Sequence, residues 1–221
     1  MHNESQNLPF LAQDIQAMVQ EFYVLQNRYS AALREVQTKL EILDDEFHTC
    51  HRRNPIHHIE SRIKSVPSIM EKLRRKNLSV NMQSAVDKLY DIAGIRVVCH
   101  YVEDVYTVAN LLTSQDDVKV LATRDYIRTP KENGYRSLHL ILEIPVFLRN
   151  GRMNIPVEVQ LRTIAMDFWA SLEHTMRYKA AADVPDDISR ELQEASRDIA
   201  AIDARMQTLH ERIRSFTSDA S

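Results

Sequence analysis

The groups in this chain that could do chemistry are two carboxylates set beside apolar runs and a generous supply of cations. Asp91 immediately precedes the β-branched run Ile92 to Cys99, and Arg96 lies inside it. Glu158 belongs to the alternating stretch Val157-Glu158-Val159-Gln160-Leu161-Arg162. Between Arg62 and Lys76 there are six basic residues and one acidic, including Arg62, Lys64, Lys72 and Arg75. The stretch Arg124 to His139 gathers Arg124, Arg128, Lys131, Arg136, Asn133, Tyr126, Tyr135 and His139 around Pro130 and Gly134. Mg²⁺ is typically held by one or two carboxylates plus substrate phosphates. Arginine and lysine clamps stabilise a transferring phosphoryl group, and a tyrosine ring in a polar loop can stack on a base. Together these groups suggest metal-assisted chemistry on nucleotide phosphates. Each has a plainer reading that spacing alone leaves open. The carboxylates fit caps or ion-pair members, the 62–76 segment fits a solvated charged face, and Glu158, Gln160 and Arg162 fit an exposed sheet face.

The elements that must position these groups can be read from periodicity. From Phe10 to Phe47 no Gly or Pro occurs and apolar residues recur every three or four positions, which predicts a long amphipathic helix, bent or split. Ile59 to Lys64 alternates as a strand, with Arg62 and Lys64 sharing one face with Glu60. Ser65 to Lys76 reads as a helix that puts Ser68, Lys72 and Arg75 on one face at i, i+4 and i+7. A turn at Gly94 leads into a central strand, Val102 to Leu112 is helical, and Val118 to Ala122 is a short strand. Ser137 to Leu148 and Met153 to Leu161 form a hairpin about Arg149-Asn150-Gly151-Arg152. Thr163 to Lys179 is a helix whose Phe168, Trp169, Leu172 and Met176 read as core. From Ile188 to Phe216 apolar residues alternate by four and three, a seam for helix pairing that could close on the N-terminal helix, join subunits, or both.

Composition narrows the classes. A net charge of −3 with 44% hydrophobic residues fits a soluble globular protein whose anion sites come from local clustering. Three glycines, Gly94, Gly134 and Gly151, exclude a Walker A loop and a Rossmann fingerprint, so phosphates must be met by side-chain cations. Cys50 and Cys99 make no disulfide framework, which suits a reducing cytoplasm. No apolar run reaches the length of a membrane span. His48, Cys50, His51, His57 and His58 lack the spacing of a structural zinc site, and Ser137 with His139 finds no acid to complete a triad.

Five motifs in series carry a resemblance: Ser-Arg62-Ile-Lys64-Ser, Asp91-Ile-Ala-Gly-Ile-Arg96, Arg124-Asp-Tyr-Ile, Lys131-Glu-Asn-Gly-Tyr135-Arg-Ser-Leu-His139 and Val-Glu158-Val-Gln160-Leu-Arg162-Thr. They resemble the synthetase domain of the RelA/SpoT alarmone enzymes, and the short chain resembles the stand-alone small synthetases. No His-Asp dipeptide of the family's hydrolase domain is present. The resemblance implies an α+β fold, a mixed sheet of about five strands with long helices at both termini. It implies a helical region over 1–53, the synthetase domain over 54–180 and an oligomerisation helix over 181–221, with a homotetramer favoured. The implied reaction moves the β,γ-diphosphate of ATP to the 3′-hydroxyl of GDP or GTP. By motif, Asp91 and Glu158 would hold Mg²⁺, with Glu158 also base or orienter for the hydroxyl. Arg62, Lys64, Ser68, Lys72, Arg75 and Arg96 would bind ATP. Arg124, Lys131, Asn133, Tyr135, His139 and Gln160 would bind the guanosine nucleotide. Lys39-Leu-Glu41-Ile-Leu-Asp44-Asp45 and Asn54-Pro-Ile-His57-His58 are poor in the positive charge of the product-activated branch, so the chain looks P-type rather than Q-type. The rivals are a silent relative binding nucleotides or single-stranded RNA, and a nucleotidyltransferase releasing pyrophosphate.

Overall fold

The computed structural model describes residues 7–50, 53–179 and 185–218, without the side chains of 7–15, 18, 177–179 and 217–218. Eleven elements follow in order: α1 (Asn7–Cys50), β1 (Ile56–Ile63), α2 (Val66–Arg75), α3 (Met82–Lys88), β2 (Ala93–Cys99), α4 (Val102–Thr113), β3 (Lys119–Asp125), β4 (Leu138–Leu148), β5 (Gly151–Thr163), α5 (Ile164–Lys179) and α6 (Asp186–Ser218). The strands form one mixed sheet in the order β1-β2-β5-β4-β3. Only β2 and β5 run parallel; the other neighbouring pairs are antiparallel.

The N-terminal helix is one element, not split, and as long as the periodicity predicts. Its stripe of Phe22, Leu25, Tyr29, Ala32, Val36 and Leu40 is buried in the same cluster as Ile95, Val97, Leu142, Val157 and Val159 of the sheet. A fully buried side chain of this size contributes roughly 1.5–3 kcal/mol, so α1 is an integral wall of the core. Among the described residues α6 packs chiefly against α5 and α4 rather than along α1. Its seam residues Ile202, Met206, Leu209, Ile213 and Phe216 stay exposed.

Three further expectations change. Gly94 lies inside β2, opposite Arg62 and Glu158, rather than in a turn before it. Trp169 is buried, but Phe168 is 58% exposed, with Leu172 and Met176 also outside. α3 was not expected: it is short and polar, with Ala85 its buried residue and Asn81 accepting from the Ser84 amide as N-cap. The hairpin turn is as read, with Arg149 and Asn150 at its tip and Gly151 at φ +108°, a conformation that favours glycine.

Candidate active site

Strand pairing gathers the polar residues into rows, because directly opposed residues of a sheet point to the same face. One row crosses all five strands: Glu60, Arg96, Gln160, His139 and Arg124 are successive cross-strand partners. The next row is Arg62, Gly94 and Glu158. Gly94 contributes no side chain, and a Cβ there would meet only the Glu158 carbonyl at 4.0 Å. The gap is the floor of a cleft partly open to solvent, lined by Glu60, Arg62, Asp91, Arg96, Glu158 and Gln160 among others. On β5, Val157, Val159 and Leu161 fill the core, so Glu158, Gln160 and Arg162 must face the cleft side.

Asp91 stands in the connection between α3 and β2 rather than on a strand. Its Oδ2 accepts from Lys64 Nζ at 2.7 Å and from Lys72 Nζ. Burial pushes the carboxyl up, but the two lysines outweigh burial and hold it below its ordinary 3.8. Its Oδ1 is buried with no hydrogen-bond partner. Lys72 reaches this point because α2 buries Val66, Ile69 and Leu73 and turns Ser68, Lys72 and Arg75 to the other side. Ser65 caps α2, accepting from the Ser68 amide at 3.4 Å. Ser68 and Arg75 are both exposed.

Glu158 Oε1 lies 3.4 Å from His139 Nδ1, and Gln160 Nε2 donates to Glu158 Oε2 at 3.0 Å. Burial works against its charge, yet the His139 and Gln160 contacts prevail and hold the carboxyl below its ordinary 4.5; Asp91 is near enough to oppose them. Two ionised carboxylates thus share one cleft, and one has an unpartnered buried oxygen. That donor set fits a hard divalent cation that completes its shell with ligand oxygens. Among the described residues no group of three or more His, Cys, Asp and Glu forms a metal cage by itself. His48 and Asn54 bond each other, His57 edges against His100, and His51 lies outside the described residues.

The loop between β3 and β4 is built on Asp125, whose Oδ1 accepts from the Ile127 and Arg128 amides, each at 3.0 Å. Asn133 Oδ1 accepts from the Tyr135 amide at 3.2 Å while its amide group donates to Glu173 at 3.0 Å. The Tyr135 hydroxyl meets His139 Nε2 at 2.8 Å and accepts from Arg162 Nη2 at 2.6 Å. Lys131 Nζ sits 4.6 Å from the ring centroids of both Tyr126 and Tyr135. Loop and cleft are therefore joined through His139: Tyr135 on one ring nitrogen, Glu158 on the other.

The structure also brings in residues that sequence reasoning gave no role. Arg162 is 5% exposed and donates to Asp167 at 3.1 Å and to Gln160 at 2.9 Å, besides Tyr135. Arg96 is braced between Glu60 at 3.0 Å and Asp167 at 3.5 Å. Arg162 had a signal, as the third polar residue in the β5 alternation. Asp167, Glu60 and Tyr126 had none beyond their neighbours. Among the described residues Arg62, Arg75, Arg124 and Lys131 form no ion pair, although all four border the cleft, α2 or the loop and are exposed. Exposed cations near two carboxylates can engage a polyanion, with charge balance from a metal.

Comparison with known proteins is consistent with this arrangement. The family described as "Region found in RelA / SpoT proteins" matches residues 61–183. The chain is 45% identical over 178 residues to GTP pyrophosphokinase YwaC of Bacillus subtilis, covering 80% of this chain and 85% of the relative. It is 34% identical to GTP pyrophosphokinase YjbM of the same organism, covering 84% and 87%. Among solved structures, small alarmone synthetase 2 of Bacillus subtilis superposes with a TM-score of 0.78 at 41% identity, covering 87% of this chain and 99% of that one. Small alarmone synthetase 1 of Bacillus subtilis, bound to its product pppGpp, superposes at 0.77 with 34% identity, covering 84% and 94%.

Proposed function

Because the chain belongs to the RelA/SpoT family, we propose that it is a small alarmone synthetase, moving the β,γ-diphosphate of ATP to the 3′-hydroxyl of GDP or GTP and releasing AMP with ppGpp or pppGpp. The observation that carries this reading is the pair of ionised carboxylates, Asp91 and Glu158, in one cleft lined by Arg62 and Arg96, with Lys64 and Lys72 held on Asp91. Phosphoryl transfer is achieved mostly by positioning and charge neutralisation, which such a site offers without a covalent nucleophile. On this reading Arg62 and Arg96 flank the adenine. Lys64, Lys72 and Arg75 hold the ATP phosphates, with Ser68 beside them. Tyr135 stacks on guanine with Asn133 and Gln160 nearby, and Arg124, Lys131 and His139 meet the acceptor phosphates. Glu158 orients the 3′-hydroxyl or takes its proton; its depressed carboxyl is ionised at neutral pH. Asp91 and Glu158 would hold Mg²⁺, which neutralises phosphate charge when bound. The catalytic unit is 54–180.

The exposed α6 seam supports assembly into a homo-oligomer, a tetramer by analogy. No helix among the described residues is long and apolar enough to cross a membrane. The free thiols of Cys50 and Cys99 support a reducing cytoplasm as the location of the enzyme. The acidic Asp44 and Asp45 support the P-type branch, so added pentaphosphate alarmone should leave the rate unchanged.

The test is one incubation with labelled ATP, Mg²⁺ and GDP or GTP, followed by chromatography. Label in a guanosine product with AMP released is expected. Pyrophosphate in place of AMP would make the chain a nucleotidyltransferase. No transfer at all would leave a silent nucleotide- or RNA-binding relative.

A further inference from the structure

The helix α6 reaches back to the loop that carries Tyr135. Gln193 Nε2 donates to the Glu132 carbonyl at 2.8 Å, and Ser196 Oγ donates to the Gly134 carbonyl at 2.5 Å. Ser196 is 6% exposed. Gly134 sits at φ +90°, and a Cβ there would stand 2.7 Å from Ser196 Cβ. Helix and loop are fitted so closely that the loop has no room for a methyl group at Gly134.

The helix is itself fixed to the frame of the site. The Thr163 hydroxyl donates to Asp203 at 2.8 Å, and Trp169 Nε1 donates to the Leu192 carbonyl at 3.0 Å. The His210 ring stacks on Tyr101 with centroids 4.3 Å apart. These anchors lie at the end of β5, on α5 and at the start of α4, next to Arg162 and Asp167. The loop is thus tied to the sheet twice: through its own ends and through α6.

We infer that Ser196, assisted by Gln193, is a positioning residue for the guanosine-nucleotide acceptor. A polar loop that must order itself around a ligand spends binding energy on that ordering. By holding the Glu132 and Gly134 carbonyls, α6 fixes the course of the loop before the nucleotide arrives. The effect is one-sided, because Arg62 on β1 lies at the opposite edge of the sheet from β3, and Lys64 and Lys72 are bonded to Asp91 rather than to the loop. The inference rests on the reading of the Tyr135 loop as the acceptor half of the site.

The test compares the full-length wild type with Ser196→Ala, Gln193→Ala and the double variant in the presence of Mg²⁺. Each nucleotide is varied with the other saturating, and amide exchange of residues 132–135 is followed by mass spectrometry. Trp169, the single tryptophan of the chain, reports the docking of α6 by its emission. Ser196→Ala is expected to raise the acceptor KM about three- to tenfold, as losing one hydrogen bond should, and to speed loop exchange. The ATP KM, kcat and Trp169 emission should stay as in the wild type, with the double variant further along the same direction. A wild type that transfers nothing refutes the acceptor reading itself. A transferring wild type with an indifferent Ser196→Ala variant refutes the positioning role alone. So does an equal rise in both KM values with altered Trp169 emission, since the helix would then have come away as a whole.

Discussion

Replacing Arg162 by lysine isolates the value of one buried guanidinium. Arg162 serves three acceptors with two nitrogens: Asp167 at 3.1 Å from Nη1, and Gln160 at 2.9 Å and the Tyr135 hydroxyl at 2.6 Å from Nη2. Its guanidinium carbon also lies 5.1 Å from the Tyr135 ring centroid. A lysine ammonium keeps the charge but not the planar fork, so it can follow Asp167 or the Tyr135–Gln160 pair. Asp167 would hold it, because a carboxylate is the stronger acceptor. The loss is then at least one charge-assisted bond to a buried acceptor, about 1.5–3 kcal/mol. Because those bonds hold Tyr135, part of that loss should appear as a tenfold or greater rise in acceptor KM, a tenfold change being about 1.4 kcal/mol. Urea denaturation should show Arg162→Lys less stable by about 1–3 kcal/mol, and Arg162→Leu less stable still, because Gln160 and Tyr135 then lose their donor while Asp167 keeps only Arg96 among the described residues. Steady-state rates with GDP or GTP varied at saturating ATP give the kinetic arm. An Arg162→Lys enzyme with wild-type acceptor KM and wild-type stability would refute the claim that this guanidinium organises the loop.

Three other outcomes follow from particular contacts. On the proposed reading Asp91→Asn should lower kcat/KM by about a hundredfold or more, because a neutral amide would hold the phosphate-neutralising Mg²⁺ far less well than the carboxylate. It should also flatten the acid limb of the stability profile. The Asp91 carboxyl is held below its ordinary value, so its contribution is present above that value and lost as pH falls through the folded one. Denaturation midpoints measured from pH 5 downward check the sign, and an unchanged acid limb would count against the Lys64–Asp91–Lys72 cluster. Gly94→Ala should fold normally, since the added Cβ meets nothing closer than 4.0 Å, yet reduce turnover by raising the floor of the cleft; a variant of full activity would mean that the floor does not touch substrate. Phe168→Ala should cost under about 1 kcal/mol in a dilute, dissociated sample, against 3–5 kcal/mol for a buried aromatic. A core-sized loss there would contradict its exposure.

Much of the site was legible because strand periodicity is strict. Once Val157, Val159 and Leu161 are assigned inward, Glu158, Gln160 and Arg162 have no choice of face. The α2 face of Ser68, Lys72 and Arg75 follows from the helical repeat in the same way. What failed is what periodicity does not encode. An apolar stripe says that something covers it, not what: Phe168, Leu172 and Met176 look like core yet are exposed on this chain, and the α6 seam, which left α1, a second copy or both open, packs against α4 and α5 with its outer residues exposed. Gly94 suggests a turn because glycine is common there, but in β2 it serves by lacking a side chain. The contacts of Asp91 with Lys64 and Lys72, and of Ser196 with Gly134, join distant segments whose approach only the closed sheet and helix packing decide. α3 escaped because its apolar repeat, Met82, Ala85 and Val86, covers only seven residues, too short for periodicity to mark a helix.

The parallel pairing of β2 with β5 has a consequence for how the protein is made. The β4–β5 hairpin is local, closes through two residues and can form within microseconds. The β2–β5 ladder must bring together strands with α4, β3 and the whole loop between them, and pairings of such sequence separation form slowly. Asp91 stands at the start of β2 and Glu158 on β5, so the two carboxylates meet only when that ladder closes. A nascent or partly folded chain therefore has a hairpin and helices but no metal-capable cleft. Nucleotide competence should arrive in one step with the final strand pairing, and in pulse-labelled refolding the protection of the β2 amides should rise together with the first ability to bind nucleotide.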